Sequence, residues 1–143
     1  MKNKKNAKKF KFISHTADIK FQAFGNSLKE VYENSALALF NVIYDKKINE
    51  KKKFKIKVQG HDLESLLYNF LEEFLILVDS KNFLPSKIRI LKFNEKNFKI
   101  EAEIIGDNAE NYQISMHVKA ITYNEMFVKK QNNKFTSQVV LDI

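Results

Sequence analysis

The feature that most constrains the fold is the run GHDLESLLYNFLEEFLILVDS at positions 60–80. Its apolar residues recur every three or four positions, which is the spacing of one face of an α-helix. Asp62 precedes the first of these apolar residues and is a common helix N-cap residue, so a helix is predicted from there to about Val78. The apolar face is wide and must be covered by other parts of the chain; it comprises Leu63, Leu66, Leu67, Phe70, Leu71, Phe74, Leu75 and Val78.

A second helix is predicted from Ser27 to about Tyr44. It opens with a capping box, in which the Ser27 hydroxyl accepts a hydrogen bond from the third helical amide and Glu30 reaches back to the start of the helix. Apolar residues follow at helical spacing, and small residues between them allow close packing. The two helices are therefore expected to be the main elements that cover the core.

The remaining segments alternate apolar and polar residues, which predicts β-strands. Turns are predicted at Gly106-Asp107-Asn108 and at Gln131-Asn132-Asn133, where the residue types favour tight bends. The predicted strands cover residues 9–14, 18–23, 54–58, 88–93, 98–104, 114–120, 126–130 and 135–141.

The order of these elements predicts an α+β fold. We expect a two-layer sandwich in which both amphipathic helices pack on one face of a mostly antiparallel or mixed β-sheet. The chain has 143 residues, a length that suits one domain. That domain is predicted to cover residues 9–143, preceded by a disordered basic tail at residues 1–8.

The net charge of +8 is concentrated at the start of the chain. Six lysines and no acidic residue lie within the first eleven positions, so 19 basic and 17 acidic residues remain for the rest. Arg89 is the sole arginine, although arginine is the usual residue for bidentate contacts to bases and phosphates. These numbers favour a solvated tail over a dedicated nucleic-acid site, while weak attraction to phosphate stays open.

Composition and motifs exclude several classes of function. The chain contains no cysteine, which rules out disulfides, thiolate nucleophiles and cysteine-ligated zinc. Its three glycines are scattered singly, so a glycine-rich phosphate loop is absent, as is a G-x-S-x-G nucleophile motif. The lysine-rich start lacks the apolar stretch of a secretory signal. We expect a cytoplasmic protein without a membrane partner.

Carboxylates at distant positions form the candidate site. Asp18 lies at the entrance to a predicted strand, and Asp142 precedes Ile143, whose α-carboxylate adds further oxygen atoms. If the first and last long strands are neighbours, these groups converge and repel one another unless a cation offsets their charge. Oxygen ligands suit Ca²⁺, Mg²⁺ or Mn²⁺, and His15 is a candidate ligand or supporting group. Alternatively, Asp18 caps a turn and Asp142 belongs to a solvated chain end.

Two other histidines and one lysine attract attention. His61 lies beside a helix cap and is expected in a solvated loop. His117 is predicted to sit half-exposed in a strand, facing away from Met116 and Val118. Lys119 would share that outward side with Ile121; it is either solvated or a contact for a phosphate or an acidic group.

Three stretches of the sequence together resemble the archease family. They are SHTADI near the start, GHDLESLLYNFLEEFLILVDS in the middle, and VKAITY followed by LDI at the end. The resemblance covers nearly the whole chain after the lysine tail. It implies a compact fold with two helices against a sheet. It also implies an accessory protein, not an enzyme, whose partner is an RtcB-type RNA ligase and which reaches tRNA through that ligase.

The resemblance also implies which residues act. The family's metal ligands fall on Asp18, Asp142 and Ile143, and calcium is the implied ion, with magnesium or manganese as alternatives. Lys119 matches a lysine implicated in activating the ligase. The protein would promote guanylylation and multiple turnover of the ligase during tRNA splicing and RNA repair. The chain departs from the family pattern at Tyr112 and Asn124, where family members often have histidine, and at His117, where an acidic residue is common.

Two other functions compete with this interpretation. The first is a basic RNA- or protein-binding module that uses the lysine tail and has no functional metal site. The second is a metal-dependent hydrolase built on the acidic cluster, for which no evident base is found in the sequence.

Overall fold

The computed structural model describes residues 8–13 and 17–143. The predicted tail falls mostly on residues outside this range. The elements in chain order are β1 (Phe10–Ile13), β2 (Ile19–Gly25), α1 (Leu28–Ile43), β3 (Lys52–Gln59), α2 (Leu63–Lys81), β4 (Phe83–Asn94), β5 (Lys99–Asn108), a short 3₁₀ helix (Ala109–Asn111), β6 (Ala120–Gln131) and β7 (Lys134–Asp142). Neither α-helix in this part of the chain is long and apolar enough to cross a membrane.

The strands form two antiparallel sheets. One has four strands in the order β1-β2-β7-β6, and the other has three in the order β3-β5-β4. The α+β class with two helices packed on antiparallel strands is confirmed, but the strands divide between two sheets instead of forming one. Alternating apolar residues predict a strand without stating its hydrogen-bonding partner, so the division could not be read from the pattern.

Each helix contacts strands of both sheets. Helix α1 packs on β1, β2 and β7 of the four-stranded sheet and on β4 of the other, while α2 packs on β6 and on β3 and β4. Helix α1 is accordingly buried around most of its circumference, as expected for a helix with neighbours on several sides. The helices thus join the two sheets around one apolar core.

The helix caps confirm the predicted starts. The Ser27 hydroxyl accepts from the Glu30 N–H at 3.1 Å, and the Glu30 carboxylate accepts from the N–H of Asn26, one residue further back than expected. Asp62 accepts from the Ser65 N–H at 2.7 Å. Helix α2 extends to Lys81, beyond the predicted end near Val78, and stops where Asn82 adopts a left-handed conformation with φ of 53°.

Tyr32 joins α1, α2 and β4 inside the core. Its side chain is fully buried, and its hydroxyl donates to the Leu63 carbonyl at 2.5 Å. Its ring meets Phe93 edge-on, with centroids 5.0 Å apart, and lies 6.0 Å from the ring of Phe70. Burial is the main reason that the pKa of Tyr32 is raised, so the hydroxyl stays protonated and keeps donating.

The turn predicted at Gly106-Asp107-Asn108 is wrong, because all three residues belong to β5. They pair with the start of β4, and Gly106 lies opposite Pro85. A Cβ atom at Gly106 would collide with the carbonyl oxygen of Leu84. The glycine therefore permits close approach of two strands instead of a bend.

The long strand predicted at residues 114–120 is also wrong, because only Ala120 of this range lies in a strand. The N–H groups of Ser115 and Met116 donate to the carbonyl of Ile43 at the end of α1, at 2.8 and 3.4 Å. Those donors are thus satisfied by a helix end instead of a neighbouring strand. The short strand predicted at 126–130 is the second half of β6.

Strand β6 is irregular between Thr122 and Phe127, where its register against β7 shifts. This irregularity includes Tyr123, whose ring stacks on Tyr68 of α2 at a centroid distance of 4.4 Å. The predicted turn after β6 is confirmed, and Asn132 and Asn133 both have positive φ, as a two-residue hairpin turn requires.

Asp107 should make the stability of the fold pH-dependent. Its carboxylate accepts from the Tyr112 hydroxyl and from the Asn108 N–H, both at 2.8 Å. These bonds, of which that from Tyr112 has the larger effect, hold the pKa of Asp107 below its ordinary value of 3.8. Asp107 therefore takes up a proton when the protein unfolds in acid. The stabilisation that its carboxylate provides is complete above its ordinary pKa and is lost as the pH falls through its lower pKa in the folded state.

We expect Asp107→Asn to be less stable than the native chain at pH 7 and to lose less stability on acidification. Urea unfolding between about pH 5 and pH 2 measures both effects. Glu110→Gln, a carboxylate removal at an exposed neighbouring position, is the control and should follow the native chain. An Asp107→Asn profile parallel to the native profile would contradict the assignment.

Candidate functional site

The candidate site lies where β2 begins and β7 ends. These strands pair in antiparallel register, and Ile19 lies opposite Leu141. Asp18 and Asp142 are the next residues along the two strands, so the main chain brings them to the same end of the four-stranded sheet. The first and last long strands are therefore neighbours, which is the condition that the sequence argument required. Asp142 is exposed, and Asp18 is partly buried.

Strand β6 brings Lys119 to the same end of the sheet. Ala120 pairs with Asp142, and the Lys119 N–H donates to the Asp142 carbonyl at 2.8 Å. The side chain of Lys119 is exposed, as predicted. Ile121, expected on the same outward side, is instead 3% exposed and part of the core, because the segment before Ala120 is not a strand.

Ile143 continues beyond β7 and is held by its side chain. That side chain is partly buried and packs against the apolar core. An anchored apolar side chain limits where the main chain of the same residue can move. The main chain of Ile143 therefore stays close to the end of β7, next to Asp142.

Side-chain hydrogen bonds reinforce the strands that carry the site. Gln22 of β2 donates to Gln138, its partner on β7, at 2.8 Å. The Gln138 amide in turn donates to the carbonyl of Glu125 in the irregular part of β6, and Lys20 forms an ion pair with the Glu125 carboxylate at 2.8 Å. These contacts link three adjacent strands in the order β2-β7-β6, which fixes their relative positions.

A buried hydrogen bond ties the same sheet to α1. The hydroxyls of Ser35 and Ser137 are both buried and lie 2.7 Å apart. Ser35 also bonds to the Val31 carbonyl one turn earlier in the helix. Strand β7 is therefore held on its inner face as well as along its edges.

A cavity of about 430 Å³ opens beside Asp18. Its polar walls include Asn41 and Asp45, at and after the end of α1, and its apolar walls include Phe12 and Met116, which are 46% and 37% exposed. Sequence reasoning missed Asn41 and Asp45. Asp45 lies two residues after the helix, but no pattern in the sequence indicates that this helix end lies next to the start of β2.

The structure describes two of the three histidines, His61 and His117. His15 lies outside the described residues, so its predicted role is not tested. His117 is exposed in the irregular segment before β6, not half-exposed in a strand. His61 is also exposed, as expected, with its Nε2 atom 3.9 Å from the Asp62 carboxylate.

Tyr112, a position at which the resemblance led us to expect histidine, has a structural role. Its hydroxyl donates to Asp107 and accepts from the Asn49 N–H at 2.9 Å. Its ring packs edge-on against Tyr44, with centroids 5.4 Å apart. Tyr112 thus connects the end of β5 to the segment that follows α1.

The donors expected at the sheet end are all oxygen atoms and fit a hard divalent cation. They comprise the carboxylates of Asp18 and Asp142 and the α-carboxylate of Ile143. Within residues 8–13 and 17–143, no group of three or more histidine and acidic side chains gathers around a common point. The expected set has two such side chains, and its third donor belongs to the main chain.

The sequence matches the model of the "Archease protein family (MTH1598/TM1083)" over residues 10–143. A protein archease of Methanosarcina acetivorans is 40% identical over 141 residues, which cover 95% of this chain and 97% of that protein. The protein archease of Pyrococcus abyssi is 39% identical over 142 residues, covering 95% of this chain and 99% of that one.

Solved structures agree with the fold. The solution structure of Methanobacterium thermoautotrophicum protein 1598 superposes with a TM-score of 0.82 at 32% identity, covering 94% of this chain and 99% of that one. A Thermotoga maritima crystal structure, described as "an archease, possible chaperone", gives a TM-score of 0.65 at 20% identity, with coverage of 93% and 96%, and shares the fold. From the family match and the identity to its relatives, the chain belongs to the archease family.

Proposed function

We propose that this archease activates an RtcB-type RNA ligase in tRNA splicing and RNA repair. In this proposal it promotes guanylylation of the ligase and multiple turnover, and the ligase itself joins the RNA. Membership of the archease family supports an accessory role. The main structural support is the pairing of β2 with β7, which brings Asp18 and Asp142 to one end of a sheet.

Asp18, Asp142 and the α-carboxylate of Ile143 are the proposed ligands of a divalent cation, calcium in the first instance. A bound cation would offset the mutual repulsion of these carboxylates and could polarise a phosphate oxygen. Asp142 is exposed, so the sheet end is open to a partner. The three groups would hold the ion at the surface, where a ligase could meet it.

Lys119 has a complementary role in the proposal. Its exposed ammonium is a positive point charge, suited to a phosphate group of the nucleotide or RNA that the ligase holds. The hydrogen bond from its N–H to the Asp142 carbonyl fixes its main chain beside the acidic groups. Positive charge from Lys119 and negative charge from the carboxylates would thus reach the same part of the ligase.

Asp18→Asn and Asp142→Asn should each abolish or strongly reduce stimulation of ligase guanylylation, because an amide is a weaker ligand for a hard cation than a carboxylate. Transfer of labelled guanylate to the ligase, with and without this protein, measures the effect. Glu95→Gln is the matched control, since Glu95 is exposed on the other sheet's β4–β5 turn. Normal stimulation by both aspartate variants, with ion present, would remove the proposed role of the cluster.

Two residues added after Ile143 should also reduce stimulation, because the extension converts the proposed carboxylate ligand into a peptide carbonyl. The same guanylylation assay measures it. An equal extension at the N-terminus is the control. An extended chain as active as the native one would show that the α-carboxylate is not a ligand.

Calcium should raise the melting temperature of the native chain and raise that of Asp142→Asn much less. Ligand at about 100 times its Kd stabilises the folded state by about 2.7 kcal/mol, which corresponds to roughly 5–10 °C for a chain of this size. In chelator, Asp142→Asn should melt no lower than the native chain, because one repulsive charge has gone. If calcium raised the melting temperatures of the two proteins equally, the proposed site would be contradicted. This test does not involve a ligase.

A further inference from the structure

The outer surface of the three-stranded sheet carries an excess of positive charge. We define the basic face as the six side chains Lys53, Lys55 and Lys57 of β3 and Lys87, Arg89 and Lys92 of β4. Cross-strand register places them in three rows across β5: Lys53 and Lys87 flank Ile105, Lys55 and Arg89 flank Glu103, and Lys57 and Lys92 flank Glu101.

Alternation along β3 separates this face from the core. Lys55 and Lys57 are exposed, whereas Ile56 and Val58 between and beside them are each 7% exposed. Same-face residues of a strand repeat about every 7 Å, so the lysines form a regular row of charges along the strand.

A β-bulge brings Lys92 to the same surface. The register of β4 shifts between Ile90, which pairs with Ala102, and Lys92, which pairs with Glu101. The Ile90 N–H at this shift donates to the Glu33 carboxylate of α1 at 2.8 Å. Without the extra residue, Lys92 would point towards the core, so the bulge is what completes the third row.

Two carboxylates of β5, Glu101 and Glu103, lie among the six cations and offset only part of their charge. Glu103 is already shared by Lys53 and Arg89, each at 3.4 Å, and Lys87 pairs with Glu50 at 2.9 Å. In the described part of the chain, Lys55, Lys57 and Lys92 have no carboxylate oxygen within 4.0 Å of their ammonium groups. Three cations in adjacent rows therefore keep their charge available to a partner.

Protection of sheet edges offers a simpler explanation of some of these residues. β3 and β4 are the edges of their sheet, and lysine on an edge strand discourages pairing with other chains. Edge protection accounts for lysines on each edge strand and for the bulge at Lys92, but it does not require that all the charges on both edges be positive. Six cations on both edges, with one sign throughout, indicate attraction to a polyanion.

We propose that the basic face binds the phosphate backbone of an RNA strand without reading its sequence. The unpaired cations are lysines, which meet phosphates as point charges. No aromatic side chain lies on the outer side of β3, β4 or β5 within the register described, so base stacking contributes nothing there. This surface includes none of the N-terminal lysines and goes beyond the proposed ligase activation, since it requires neither metal nor ligase.

Binding of a fluorescein-labelled single-stranded RNA of about 20 nucleotides, followed by anisotropy across a KCl series without divalent ions or ligase, tests the proposal. The variant is Lys55→Glu with Lys57→Glu. The matched control is Lys130→Glu with Lys134→Glu, which changes the net charge equally at exposed positions flanking the β6–β7 turn of the other sheet. Both retain the N-terminal lysines, so a contribution from the tail cancels.

We expect the Lys55/Lys57 variant to bind at least tenfold more weakly at about 50 mM KCl, and its salt dependence to fall by about 1.4 in log–log slope, as two lost phosphate contacts predict. The control should stay within about twofold of the native chain. Equal losses in the two variants would show an effect of net charge alone and overturn the proposal, as would no loss in either. Displacement of the RNA by polyglutamate at matched charge would point to an acidic protein instead and would also overturn it.

Thermal melting by circular dichroism checks that the variants fold. If the glutamate substitutions unfold the sheet, Lys55→Gln with Lys57→Gln removes the charges without reversing them and should weaken binding in the same direction. Ligase stimulation should be retained by the Lys55/Lys57 variants. Loss of RNA binding with normal ligase stimulation supports the proposal, and normal RNA binding overturns it while leaving the ligase proposal untouched.

Discussion

The antiparallel pairing of β2 with β7 is the contact on which the functional interpretation depends. It joins an early part of the chain to its last strand, with Ile19 opposite Leu141. Contacts between residues so distant in sequence carry a large loop-closure cost, which must be repaid by burial and hydrogen bonding. Here Val139 and Leu141 are fully buried on the inner side, and Gln22 and Gln138 bond across the two strands. A slip of one residue would turn the side chains of the shifted strand to the opposite face of the sheet.

The sequence predicted helices better than sheets, for a physical reason. A helix satisfies its hydrogen bonds within a short segment, so the caps at Ser27 and Asp62 and the apolar spacing sufficed to find both helices. A strand depends on partners elsewhere in the chain. Gly106 was therefore predicted to lie in a turn, although it belongs to β5 and pairs with both neighbouring strands. Residues 114–119 were predicted to form a strand, although two of their N–H groups donate to the carbonyl of Ile43.

The candidate site shows the same limit in another form. Asp18, Asp142 and Lys119 could be chosen from their positions and from family likeness, and the sheet brings their main chains to one end. Asn41 and Asp45 could not be predicted from the sequence, because their position beside Asp18 depends on how α1 packs against the sheet. The overall charge count did not reveal the basic face. After position 11 the chain has 19 basic and 17 acidic residues, a nearly neutral sum, whereas the strand register collects six cations on one surface.

Contact of each helix with both sheets has a consequence for how the molecule responds to its partners. The two sheets share one apolar core, because both helices pack against both sheets. If one sheet opened, the helices would lose part of their packing and the other sheet would be destabilised. This coupling favours unfolding in one cooperative transition. Any free energy gained by holding β2 and β7 together therefore also stabilises β3, β4 and β5 against unfolding.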